Sequence, residues 1–124
     1  SLFAGSLGAS GVRAVLNFAG GRGAQADGSI CNREGLVETF GNAGAKTKIP
    51  TFWLYSENDQ LFDPDLVQEM HDAFSDAGGN AKFVMVEPFQ ENGHFLFSDG
   101  GVGIWKPLVK SFLAGLDLCP RCKL

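Results

Sequence analysis

Three apolar runs punctuate the chain at roughly regular intervals. Val12 to Phe18 is bounded by Gly11 and by Gly20-Gly21; Ile49 to Tyr55 passes through Pro50 and is rich in aromatics; Ala81 to Val86 contains Phe83-Val84-Met85-Val86. Runs this continuous predict parallel strands covered on both faces, because a half-exposed strand would alternate apolar with polar residues. Between the second and third runs a helix is well signalled. Asp63 stands at its N-cap and Pro64 at its first position, Leu66, Val67, Met70, Phe74 and Ala77 form the apolar face, and Gly78-Gly79 ends it. Strand, helix and strand together make a βαβ unit. A last helix from Val102 to Leu116 carries Trp105, Leu108, Val109, Phe112 and Leu116 at helical spacing and is expected to cover one sheet face. A shorter helix fits between Cys31 and Gly44, and Ser1 to Leu7 reads as the end of another.

The predicted class is therefore α/β, with about three parallel strands and flanking helices in a single segment, residues 1–124, of which 117–124 form a tail. The chain contains no internal repeat, linker or low-complexity block. The first strand lacks a partner on the side that precedes it, so the pattern describes part of a larger sheet. Open apolar edges are normally covered, and the expected cover is either an N-terminal portion or a second copy of the chain.

Composition narrows the classes. The 124 residues suit one domain, and 44% hydrophobic content excludes a disordered tail. With a net charge of -4 and only 10 Lys and Arg, scattered among acids, there is no basic stripe for nucleic acid or anionic lipid. The apolar stretches fall well short of the roughly 20 residues that span a bilayer, and the opening residues lack a signal-peptide pattern. Neither nucleic acid nor membrane is an expected partner. Cys119-Pro120-Arg121-Cys122 has CxxC spacing without a second ligand pair and reads as two exposed thiols. Cys31 follows a Gly-rich loop and is open to three readings: a small buried apolar residue, a disulfide partner, or an inert thiol.

The chemistry sits at the ends of the second and third runs. Ser56-Glu57-Asn58-Asp59 leaves one strand, and Gly93-His94 lies in the exit from the next. Open parallel sheets gather ligands at their strands' carboxyl ends, so Asp59 and His94 should converge on one crevice. A carboxylate that fixes an imidazole, and an imidazole that takes a proton from a nucleophile, are two parts of a hydrolytic triad. The plainer alternatives are a turn-forming acid and a loop histidine bonded to a backbone carbonyl. Gly93 gives the loop room to bend the ring inward. His71, in Glu69-Met70-His71-Asp72, reads as a solvated helix residue.

Three blocks then match a known family in order: Asn17-Phe18-Ala19-Gly20-Gly21-Arg22-Gly23, Ile49-Pro50-Thr51-Phe52-Trp53-Leu54-Tyr55-Ser56-Glu57-Asn58-Asp59, and Pro88-Phe89 with Gly93-His94-Phe95-Leu96-Phe97. From the first residues to about Leu116 the chain resembles the C-terminal half of dienelactone-hydrolase-like α/β-hydrolases. The resemblance implies Asp59 as the catalytic acid, His94 as the base, and an ester or lactone as substrate. It also implies a serine elbow, G-x-S-x-G, ahead of the Val12 to Phe18 strand, together with the oxyanion hole. Ala4-Gly5-Ser6-Leu7-Gly8 imitates an elbow, but no strand precedes it and no long helix fits between Ser6 and Val12; Cys31 follows the wrong strand. The nucleophile is thus expected outside this chain, which alone should be inactive.

The glycines at 20, 21 and 23 match neither a P-loop nor a dinucleotide fingerprint, and read as a flexible loop from which Arg22 lines the crevice as a substrate-binding residue. Phe95, with Leu96, Phe97 and Phe62, is either an apolar wall for substrate or part of the core. Triad chemistry requires no cofactor and no metal. The rival class is a non-catalytic α/β module that binds a small molecule or a partner chain.

Overall fold

The computed structural model describes residues 1–119 and 121. In chain order the elements are α1 (Leu2–Ser6), β1 (Val15–Phe18), α2 (Arg33–Lys46), β2 (Thr51–Ser56), α3 (Pro64–Asp76), β3 (Ala81–Val86), two short 3-10 turns (Gly93–Phe97 and Asp99–Gly101), and α4 (Val102–Gly115). The strands form one parallel sheet in the order β1-β2-β3. Val15 lies opposite Thr51 and Phe18 opposite Leu54; Thr51 lies opposite Ala81 and Ser56 opposite Val86. The expected α/β arrangement of three parallel strands with flanking helices is present.

Side-chain alternation along each strand divides the core in two. Trp53 and Tyr55 point to the face covered by α2 and α3, where they meet Leu36, Phe40, Val67, Met70 and Phe74. Phe52 and Leu54 point to the other face and pack with Phe112 of α4 and Leu96 of the first 3-10 turn. Because β2 is central and covered on both faces, all six of its residues are buried. This is the physical reason its sequence reads as an unbroken apolar run. The flanking strands carry only intermediate burial at Leu16 and Phe18 and along most of β3.

Helix ends follow capping chemistry. The Asp63 carboxylate accepts the Leu66 N–H at 2.9 Å, with Pro64 in the first turn, as expected. Asn32 does the same for α2, accepting the Gly35 N–H at 2.9 Å. Helices α2 and α3 pack so closely that a Cβ at Gly44 would collide with the Phe74 carbonyl.

Several boundaries and environments differ from the sequence reading. β1 begins at Val15, not Val12, because its ladder starts where the Val15 N–H meets the Pro50 carbonyl at 3.0 Å; Val12 is exposed. β2 starts at Thr51 rather than Ile49, and α2 runs to Lys46 rather than Gly44. His71 is not a solvated residue. It stacks on Phe83 with centroids 5.0 Å apart and meets Trp53 edge-on at 5.8 Å, leaving its side chain 19% exposed. Val67, Met70, His71 and Phe74 share one i, i+3, i+4, i+7 stripe facing the sheet, and His71 fills a place in it. Cys31 is exposed and free, its sulfur accepting from Gln25 Nε2 at 2.9 Å, which overturns the reading as a small buried apolar residue. Cys119 is disulfide-bonded, so it is not the exposed thiol expected from sequence; Cys122 lies outside the described residues.

Candidate active site

The ladder between β2 and β3 ends where the Glu57 N–H reaches the Val86 carbonyl at 3.0 Å. Beyond that bond the two chains diverge into the loops that carry Asp59 and His94. Asp59 is set by a tight turn. Its Oδ1 accepts the backbone N–H groups of Leu61 (2.8 Å) and Phe62 (3.2 Å), which leaves Oδ2 aimed away from its own loop. That second oxygen lies 3.1 Å from His94 Nδ1. The Asp59 side chain is 0% exposed and that of His94 31%.

A buried carboxylate needs donors on its oxygens, and here two backbone N–H groups and one ring N–H supply them. The carboxylate is an acceptor, so the ring proton belongs on Nδ1 and Nε2 carries a free lone pair. The pair thus holds the tautomer that a general base requires. Phe62 and Phe95 flank the imidazole with centroids at 6.2 Å and 6.5 Å.

Gly93 is demanded by this geometry. A Cβ there would sit 2.5 Å from Asn58 Oδ1 and equally close to Ser56 Cβ and Oγ. Its N–H donates to the Asn58 carbonyl at 3.1 Å, so the loop bearing His94 lies directly on the loop bearing Asp59.

Two asparagines join these loops. Asn58 Oδ1 accepts the Phe89 N–H (2.9 Å) and the Ser56 hydroxyl (2.9 Å), while its Nδ2 donates to the carbonyls of Phe89 (3.3 Å) and Gln90 (3.0 Å). Gln90 is one of three non-glycine residues with positive φ among the described residues, at 50°. Asn92 Oδ1 accepts the N–H groups of His94 (3.0 Å) and Gln60 (3.2 Å). Neither asparagine was singled out from sequence; the only signal was a short polar residue next to the acid and another two positions before the histidine.

A third polar group ties the end of β1 to β2. The Tyr55 hydroxyl donates to the Gly20 carbonyl at 2.7 Å and accepts from Asn17 Nδ2 at 3.0 Å. Burial pushes the phenol well above its ordinary range, the Asn17 hydrogen bond opposes that rise, and the nearby Asp59 charge adds to it. An asparagine inside an apolar strand was the sequence mark of this contact.

The four sequence-predicted residues are placed unequally. Asp59, His94 and Phe95 come together, and Phe95 is 60% exposed beside the ring. Leu96 is buried, Phe97 stacks on Phe18 at 4.7 Å, and Phe62 is buried, so the apolar wall reduces to Phe95 at the surface with Phe62 beneath. Arg22 is exposed on the loop after β1. It lines a cavity of about 220 Å³ together with Asn17, Gly20, Gly21, Leu36 and Phe40, and another of about 290 Å³ near Cys31, Asn32 and Thr39. Gly21 lies against the Phe62 ring, so the Arg22 loop adjoins the dyad through that ring.

Among the described residues no hydrogen bond joins His94 Nε2 to a hydroxyl or thiol. Ser6 donates to the Phe3 carbonyl at 2.8 Å within α1. No group of three or more His, Cys, Asp or Glu among the described residues is arranged to hold a metal ion, and no helix is long and apolar enough to cross a membrane. Comparison with family models, curated proteins and solved structures found no match.

Proposed function

We propose that this chain carries the acid and base of a serine hydrolase acting on ester, lactone or similar acyl bonds, in the manner of the dienelactone-hydrolase-like enzymes its sequence resembles. The observation that carries this reading is the 3.1 Å contact between His94 Nδ1 and the fully buried Asp59 carboxylate. A surface ion pair would not need a carboxylate buried to this degree and already held by two backbone N–H groups.

In this mechanism a serine on polypeptide outside residues 1–124 attacks the acyl carbon as His94 Nε2 takes its proton. Asp59 stabilises the imidazolium, which then gives the proton to the leaving oxygen and leaves an acyl-serine. Water then attacks the acyl carbon as Nε2 takes one of its protons, and the acyl–serine bond breaks as that proton passes to the serine oxygen, releasing the acid product. Arg22 and Phe95 are assigned to substrate contact, Phe95 supplying an apolar surface beside the reacting centre.

The test is burst kinetics with an activated ester. Residues 1–124 alone should give no burst, whereas a chain extended upstream with its native sequence should give one. In that extended protein Asp59→Asn should lower kcat/KM by about 10⁴, since the amide would present its NH₂ to Nδ1 and move the ring proton to Nε2. A burst from residues 1–124 that survives both Ser6→Ala and Cys31→Ala would overturn the assignment of the nucleophile. An extended protein without any burst would favour a non-catalytic binding module.

A further inference from the structure

We infer that Asn58 and Asn92 are positioning residues that set the geometry of the Asp59–His94 pair, and that they act through different atoms. Asn58 works as a surrogate peptide group. Where the β2–β3 backbone ladder stops, its side-chain amide both accepts from Phe89 N–H and donates to the Phe89 carbonyl, extending the pairing of the two chains past the last strand residue. The same NH₂ reaches the Gln90 carbonyl, at a left-handed backbone position that needs outside support. Asn92 instead uses only its oxygen, which gathers one N–H from the acid loop, at Gln60, and one from the base loop, at His94. Between them they fix both the height and the tilt of the histidine turn over the carboxylate.

This division of labour yields an asymmetric expectation. An aspartate is nearly isosteric with asparagine but has no NH₂ to donate. At position 92 nothing is lost, because only acceptor oxygens are used. At position 58 the second carboxylate oxygen would face two carbonyls, and the loops would part. Both substitutions add one negative charge to the same pair of loops, so the difference between them isolates the amide donor.

The experiment is NMR of the ¹⁵N-histidine-labelled full chain, reading the ring N–H resonance and tautomer of His94. His71 serves as an internal reference, since its partners are Asp72, Ser75, Trp53 and Phe83. The expected result is that Asn58→Asp loses the His94 Nδ1–H signal while the His71 signals stay in place, and that Asn92→Asp keeps both. Retention of the signal in Asn58→Asp, or its loss in both variants, would overturn the proposal. If Asn58→Asp does not fold, the Asn92 position decides: Asn92→Leu loses the signal where Asn92→Asp keeps it, and identical behaviour of those two would equally overturn it. The inference rests on reading Asp59 and His94 as a proton relay, but the ring signal reports the pair's geometry whether or not any ester is cleaved. Failure of the esterase assignment therefore leaves a distinct outcome.

Discussion

At the scale of single residues, the hydrogen-bonded pair depends on a missing side chain as much as on those present. Gly93→Ala would drive a methyl group into Asn58 and Ser56, at contacts of 2.5 Å. The loops must then separate, and we expect a loss of about 1–3 kcal/mol in denaturant unfolding, with His94 withdrawn from Asp59. Tyr55 makes a second prediction, in pH. Its phenol is raised in the folded chain above the ordinary value of 10.0, mainly by burial, so the unfolded chain releases that proton first. Its contribution is fully present below pH 10 and falls as pH rises beyond that, with a slope approaching about 1.4 kcal/mol per pH unit until the buried phenol itself ionises. Denaturant titrations between pH 9 and 11 should show Tyr55→Phe flattening this decline relative to the parent chain. Asp59 and His94 were legible in the sequence because a strand end followed by an acid, and a Gly-His step after the next strand, are local signals. Asn58 and Asn92 were not, since beside a local contact each, to the Ser56 hydroxyl and the His94 N–H, their remaining partners are backbone groups roughly thirty residues away that no residue identity announces. His71 was misread because its polar neighbours hid a helical stripe that only three-dimensional packing completes.

At the scale of elements, helix α3 was the most legible because three independent signals agreed on it: cap, proline and stop. Asp63 carries more than one task, accepting the Leu66 N–H and pairing with Arg33 at 3.2 Å. The cap is the part that matters. Arg33 also binds Glu69 at 2.9 Å, chiefly the contact that raises its guanidinium above its ordinary value, yet all three side chains are substantially exposed and the pairs contribute little. We expect Asp63→Ala to lower stability by about 1 kcal/mol in chemical denaturation and Asp63→Asn, which retains the cap but not the charge, to recover most of it. Helix α2 was placed less accurately at its far end, because Gly44 signals a stop in sequence but is an interior position that lets the helix approach the Phe74 carbonyl, and the helix continues to Lys46. The start of β1 was misjudged for a related reason: Val12 is apolar, but strand identity requires a neighbour, and pairing with the β2 entry begins only at Val15.

At the scale of the whole molecule, the parallel sheet and its division into two apolar layers were legible because buried strands leave continuous runs. The open side of β1 is expected from the sequence, whereas the partial burial along β3 is not, because its unbroken apolar run predicts cover on both faces. β2 is sealed on both faces, while β1 and β3 remain partly open and, among the described residues, each pairs on one side alone. Open parallel edges of this kind recruit further strands, so sedimentation velocity should show residues 1–124 associating as concentration rises; a monomer at every concentration would mean that the edges are already protected. The acid and the base are separated by only 35 positions, with a single crossover helix between their strands. Their meeting therefore incurs the loop-closure entropy of one short excursion, and α4 then seats the histidine turn through the packing of Phe112 with Leu96. On the proposed reading, any cut outside this one excursion leaves acid and base on the same fragment, so two separately made fragments that dock again should restore the contact without having to reunite its two members.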